Sequence, residues 1–122
     1  MKFYLCKSCG NMVALVHEGG GQLVCCGSPM TEVLPNSTEA AKEKHVPVVV
    51  IQGNEVVVKV GEVSHPMEEA HHIEWIMIET KMGRQRKVLG AGAVPAAEFS
   101  MVDGDEFVAA YAYCNLHGLW KS

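Results

Sequence analysis

Val48-Val49-Val50-Ile51-Gln52-Gly53-Asn54-Glu55-Val56-Val57-Val58-Lys59-Val60 is the stretch that decides the fold. Two β-branched runs flank a Gly-Asn pair, a combination that lets a chain reverse within two residues, so the segment predicts an antiparallel hairpin. Outward from it, further strands are predicted over 71–80, 85–89 and 107–114, separated by turn residues and with almost no helical periodicity. Many short strands of this kind predict a mainly β fold, an antiparallel sandwich or barrel. A period of two places Cys114 on a small apolar face with Val108, Ala110 and Ala112, while Phe107, Tyr111 and Tyr113 point the other way. By the same rule His71 shares a face with Ile73, Trp75 and Met77, and His72 points out to solvent.

Towards the start of the chain the pattern breaks. Residues 35–44 carry Pro, Asn, Ser and Thr ahead of a short charged run, which predicts a linker with one helical turn capped by Ser37 or Thr38. A boundary here divides the chain into residues 1–36 and 37–122. The first unit has too little apolar content to fold alone, but it holds four of the five cysteines. Cys6-Lys7-Ser8-Cys9 is a CxxC knuckle followed by Gly10, and Cys25-Cys26 is followed by Gly27. Four thiolates so placed can close a tetrahedron, and the bound metal would contribute folding free energy on the order of 10 kcal/mol. These residue types suit zinc and iron alike, and the plainest role is a closed metal knob. Met12 to His17 reads as a weak strand and Gly19-Gly20-Gly21 as its turn, with His17 on the surface.

The totals restrict the partners. In 122 residues, 48% hydrophobic composition suffices for a modest core. A net charge of -4 argues against nucleic acid or an anionic membrane surface as the main partner. No apolar run is long enough for a signal peptide or a membrane span, so a cytoplasmic protein is expected. An odd cysteine count without an export signal favours metal ligands over disulfides.

The fifth cysteine, Cys114, lies in Cys114-Asn115-Leu116-His117-Gly118. His45 precedes Val46-Pro47, His65 precedes Pro66, and His71 follows five residues later. A lone buried histidine is more often a hydrogen-bonded core residue than a ligand. The case here rests on clustering at element ends beside residues that fix the backbone. His45, His65, His71, His117 and Cys114 are too many donors for closed tetrahedral zinc, and they suit a five-ligand iron centre with its sixth position open. Glu43 and Lys44 adjoin His45; the plain reading is a solvated charge pair, the functional one a lysine that steers an anion and a carboxylate that caps the oxidised metal. Trp75 and Trp120 are read as core or rim aromatics. Three classes remain open on these grounds: an enzyme, an electron carrier built on the first unit, and a zinc-holding binding module.

Jointly, Cys6-x-x-Cys9 with Cys25-Cys26, Glu43-Lys44-His45-Val46-Pro47, His65-Pro66-Met67-Glu68-Glu69-x-His71-x-Ile73-x-Trp75 and Cys114-Asn115-x-His117-Gly118-x-Trp120 resemble the desulfoferrodoxin family, the two-iron class of superoxide reductase. The first unit resembles desulforedoxin, in which an adjacent cysteine pair replaces the second CxxC of rubredoxin and holds iron in a distorted FeS4 tetrahedron. The resemblance implies an immunoglobulin-like β-sandwich around the second iron, with His45, His65, His71 and His117 as equatorial ligands and Cys114 as the axial one. It further implies a mobile-loop role for Glu43 and Lys44, superoxide as substrate, a rubredoxin-like electron donor, and a cytoplasmic homodimer.

Overall fold

The structure, a computed structural model, describes residues 1–122, and the chain divides into two compact units, Met1–Leu34 and Pro35–Ser122. In the first, β1 (Phe3–Leu5), β2 (Met12–Ala14), β3 (Val24–Cys25), β4 (Ser28–Pro29) and β5 (Thr31–Val33) are three residues long or shorter. β1 is the centre of an antiparallel sheet between β2 and β5, and β3 pairs with β4. The strand expected over 12–17 stops at Ala14, because its partner β1 offers only three residues to pair. Cys25 pairs with Ser28, so Cys26-Gly27 forms a two-residue turn with φ of 52° and 74°. Positive φ at both positions is a primed hairpin turn, and Cys26 occupies a left-handed conformation that non-glycine side chains rarely adopt. That turn brings two consecutive thiols to one end of the hairpin.

The second unit opens with a single helical turn, α1 (Lys42–His45). Its N-cap is Ala41, with no side-chain cap. The expected cap by Ser37 or Thr38 fails because the turn begins too far along the chain for either hydroxyl to reach its first N–H groups. Next come β6 (Pro47–Gln52), β7 (Glu55–Val60), β8 (Ile73–Thr80), β9 (Gly83–Val88), β10 (Ala96–Ser100), β11 (Phe107–Cys114) and β12 (Gly118–Lys121). β6 and β7 pair from Pro47↔Val60 to Gln52↔Glu55 around Gly53, whose φ of 60° supplies the reversal. A three-stranded sheet in the order β10-β7-β6 packs on a four-stranded sheet in the order β12-β11-β8-β9, and every pairing is antiparallel. Between them lie Val56, Val58, Val60, Ile73, Ile76, Ile78, Phe99, Ala110, Ala112 and Cys114. This is the expected sandwich. No helix is long and apolar enough to cross a membrane.

Strict alternation fails in two places. The β8–β11 ladder shifts register between Phe107 and Ala109 and again between Tyr113 and Cys114. At the first shift Val108 turns outward to 53% exposure and Phe107 packs on the core, the reverse of the expectation. At the second, Cys114 pairs with Ile73 while Tyr113 pairs with Trp75, so Glu74 is an extra residue and Ile73 joins Ile76 and Ile78 in the core. An added residue on one strand changes which face its neighbours present.

Candidate metal centres

Two groups of metal-ligating side chains come together, one in each unit. In the first unit the sulfurs of Cys6, Cys9, Cys25 and Cys26 all lie within 4.8 Å of one another, and none forms a disulfide. The Cys9–Cys25 and Cys25–Cys26 sulfurs are 3.7 and 4.0 Å apart. A tetrahedron with metal–sulfur bonds of about 2.3 Å has edges of about 3.8 Å, so the spacing fits a central ion. The knuckle is held by hydrogen bonds from Gly10 N–H to Cys6 C=O and from Cys6 N–H to Asn11 C=O, both 2.9 Å. Backbone N–H groups around Cys9 and Ser8, together with the neighbouring thiols, draw the Cys6 thiol down to about 6. Thiols crowding Cys26 push it up to about 12, Cys9 acting most strongly. A divalent or trivalent ion bound among the four sulfurs would favour the thiolate at each of them.

In the second unit four imidazoles stand at the corners of a square. Going round it, the His45–His65, His65–His71, His71–His117 and His117–His45 ring centroids are 4.6, 4.7, 5.0 and 5.0 Å apart, with neighbouring rings near perpendicular. Across the diagonal, His45 and His71 are 6.4 Å apart and inclined by only 29°. Each corner comes from a different element: α1 ends in His45, the loop after β7 supplies His65, the segment before β8 supplies His71, and the β11–β12 turn supplies His117. Cys114, the last residue of β11, is fully buried. Its sulfur lies within 4.8 Å of the ligand nitrogens of His45, His65 and His71 and 3.9 Å from His117 Nδ1.

Hydrogen bonding decides which nitrogen each ring presents. His45 Nδ1 lies 2.7 Å from Ala41 C=O and His65 Nδ1 lies 2.6 Å from Pro66 C=O, so both rings donate outward and turn Nε2 inward. Those two Nε2 atoms then face each other as lone pairs 3.1 Å apart. His117 presents Nδ1, 3.2 Å from His45 Nε2, and His71 Nε2 is buried without any hydrogen-bond partner. Neighbouring ligands of an ion with bonds of about 2.1 Å lie about 3.0 Å apart, so these separations fit nitrogens arranged round one central ion. Burial lowers the proton affinity of His45 and His71, and takes His65 down to about 4, so these imidazoles are neutral and ready to bind. Burial raises the Cys114 thiol, while the N–H groups of His117 and Leu116 lower it and stabilise its anion.

All nine residues expected from sequence as ligands therefore lie in one cluster or the other. His72 does not: half-buried, its ring Nδ1 is turned to the carbonyls of Glu68 and Glu69. Lys44 is exposed, and its charge is felt by His45 and His71. Glu43 instead lines a surface concavity with Lys42, Val46, Pro47, Val48 and Glu62. Trp120, expected as a core or rim aromatic, is in the core, but its contact with the square was not legible in the sequence. It is 1% exposed, its ring lies 4.8 Å from that of His45 at 27°, and its indole N–H donates to His117 C=O at 3.1 Å. The missing signal was β12: once that strand pairs with β11, Trp120 sits opposite Ala112 on the face that carries Cys114.

Comparison with known proteins follows the same division. The family model for desulfoferrodoxin matches residues 37–122, and that for the desulfoferrodoxin N-terminal domain matches residues 1–33. A desulfoferrodoxin homolog of Archaeoglobus fulgidus is 52% identical over 122 residues, covering 100% of this chain and 96% of its own. A desulfoferrodoxin of Syntrophotalea carbinolica is 47% identical, covering 100% and 95%. The crystal structure of the superoxide reductase from Treponema pallidum superposes with a TM-score of 0.80 at 37% identity, covering 93% of each chain. With both units matched in order and the relatives covered almost end to end, the chain belongs to the desulfoferrodoxin family.

Proposed function

We propose that this protein reduces superoxide to hydrogen peroxide at the His/Cys centre, adding one electron and two protons to each superoxide. The observation that carries this reading is the square of four imidazoles with a buried thiol: five protein donors that would leave one of an iron's six positions to a small anion. His45, His65, His71, His117 and Cys114 would hold that iron, and Cys6, Cys9, Cys25 and Cys26 a second one. When bound, the iron of the His/Cys centre supplies the transferred electron and a positive charge that attracts the anion.

The chain's own groups do the rest. Four uncharged imidazoles leave the positive charge of the centre undiminished, and the single thiolate of Cys114 is the only anion among the donors. The N–H groups of Leu116 and His117 offset part of the burial that favours the thiol, and once a bound ion has ionised that sulfur they would temper its donation of electron density. Lys44, whose field already reaches His45 and His71, draws superoxide towards the square and orders water that delivers protons. Glu43, one residue away on the same helical turn, swings in over the square after turnover and keeps other anions out. We assign residues 1–36 to the FeS4 unit as an auxiliary redox centre and 37–122 to the catalytic unit. The protein is cytoplasmic and homodimeric, and a rubredoxin-like one-electron donor restores its reduced state.

Mixing the reduced protein with a pulse of superoxide tests the reading through its products. Peroxide without oxygen is expected. Peroxide and oxygen together would mean dismutation, and neither would remove the function. Replacing Cys114 or His117 should abolish superoxide consumption and leave the spectrum of the FeS4 unit intact.

A further inference from the structure

His71 carries the one ring nitrogen of the square that is buried without a hydrogen-bond partner. His45 and His65 are each hooked by a backbone oxygen at Nδ1, whereas no carbonyl holds the His71 ring in this way. It also lies beyond the sheet, since β8 pairs with β11 only from Ile73 onward. Hydrogen bonds between Glu68 and His71, from Glu68 N–H at 2.9 Å and His71 N–H at 3.1 Å, shape its loop internally.

Asn115 ties that loop to the sulfur ligand. Its Oδ1 accepts from His72 N–H at 2.9 Å, its Nδ2 donates to Ala70 C=O at 3.0 Å, and its own backbone N–H donates to His72 C=O at 3.2 Å. One carboxamide thus grips the backbone on both sides of His71, and it belongs to the residue bonded to Cys114. We propose that Asn115 is a positioning residue that sets the His71 imidazole relative to the Cys114 sulfur, replacing through the main chain the orientation that His71 lacks at its ring. The proposal rests on the reading of this centre as an iron site, but not on superoxide as its substrate.

The test is iron retention. Reduced full-length protein is mixed with a ferrous-iron chelator in stopped flow, and the phase absent from His117→Ala protein identifies the His/Cys centre. Groups that orient metal ligands typically contribute 10–100-fold to affinity, so Asn115→Ala should accelerate that phase by about 10–100-fold and leave the FeS4 phase unchanged. Asn115→Asp, which can accept from His72 but cannot donate to Ala70, should fall between, and it carries the same comparison if the alanine variant does not fold. In a His71→Ala background the Asn115 substitution should add less than about twofold, whereas in a His45→Ala background its full effect should persist. Equal acceleration in both backgrounds, or none in either Asn115 variant, would overturn the proposal. Absence of any His117-dependent phase would overturn the iron reading and this proposal with it.

Discussion

Gly61→Ala is the substitution for which the structure gives the sharpest expectation, although Gly61 touches no ligand. Gly61 follows β7 with φ of 83°, and a Cβ there would lie 2.5 Å from Val63 O and 2.6 Å from both the carbonyl carbon and the oxygen of Lys44. All three are backbone atoms, so no side-chain rotation relieves the clash, and ordinary contact requires a movement of about 1 Å. The segment that must move is α1, whose last residue is His45. Forcing alanine into the left-handed region costs about 1–2 kcal/mol. Pushing the two segments apart also strains the hydrogen bonds from Val63 N–H to Glu43 C=O at 2.9 Å and from Gly61 N–H to Val46 C=O at 3.2 Å. Each contributes about 1 kcal/mol, for a total of about 3 kcal/mol. In a unit of this size the unfolding midpoint should fall by about 12–24 °C. Both tryptophans, Trp75 and Trp120, lie in the second unit, so their emission reports on that unit alone. Gly104→Ala is the control: its φ is 90° with nothing within 4 Å of the added Cβ, so it incurs the backbone cost without the clash. Gly61→Ala should also lose iron from the His/Cys centre, which Gly104→Ala should keep. Equal losses of stability with full iron retention in both would refute the idea that this close approach places His45.

Lys44→Ala should slow the second-order reaction with superoxide and flatten its dependence on ionic strength, because the charge that draws the anion is gone; an unchanged rate at low salt would remove the steering role. In metal-free protein, acid should weaken the fold through the buried imidazoles. His65 is held at about 4, against 6.5 for the free side chain, mainly because burial penalises its charged form. The unfolded chain therefore takes up this proton first, so stability is full above pH 6.5, falls between 6.5 and 4, and levels off below 4. A shift of this size corresponds to about 3 kcal/mol, with His45 and His71 acting in the same direction. Urea midpoints of the metal-free protein that stay flat across that window would refute it.

Much of the molecule is written locally. The Gly53-Asn54 hairpin, the CxxC knuckle, the Cys25-Cys26 pair and the five separated donors of the second centre are all readable without coordinates, because each depends on a turn geometry or a donor chemistry carried by neighbouring residues. The misread strand faces of the second unit share one cause. The face of Val108, Phe107 and Trp75 depends on two register shifts against a strand about thirty residues away, and a period of two has no knowledge of them. β10 and β12 escaped because their short runs acquire strand character only by pairing with β7 and β11.

Sequence alone determined which atoms would seek a metal: four sulfurs in one unit, and four imidazoles with one sulfur in the other. Tertiary structure alone decided their order round the square, which ring nitrogen faces inward, that Trp120 stacks on His45, and that Glu43 lines a concavity of its own. The reason is physical. Donor identity is a property of a side chain, but the orientation of an imidazole is set by the carbonyl that its other nitrogen finds and by the ring packed against it, and those partners are supplied by how the strands pair.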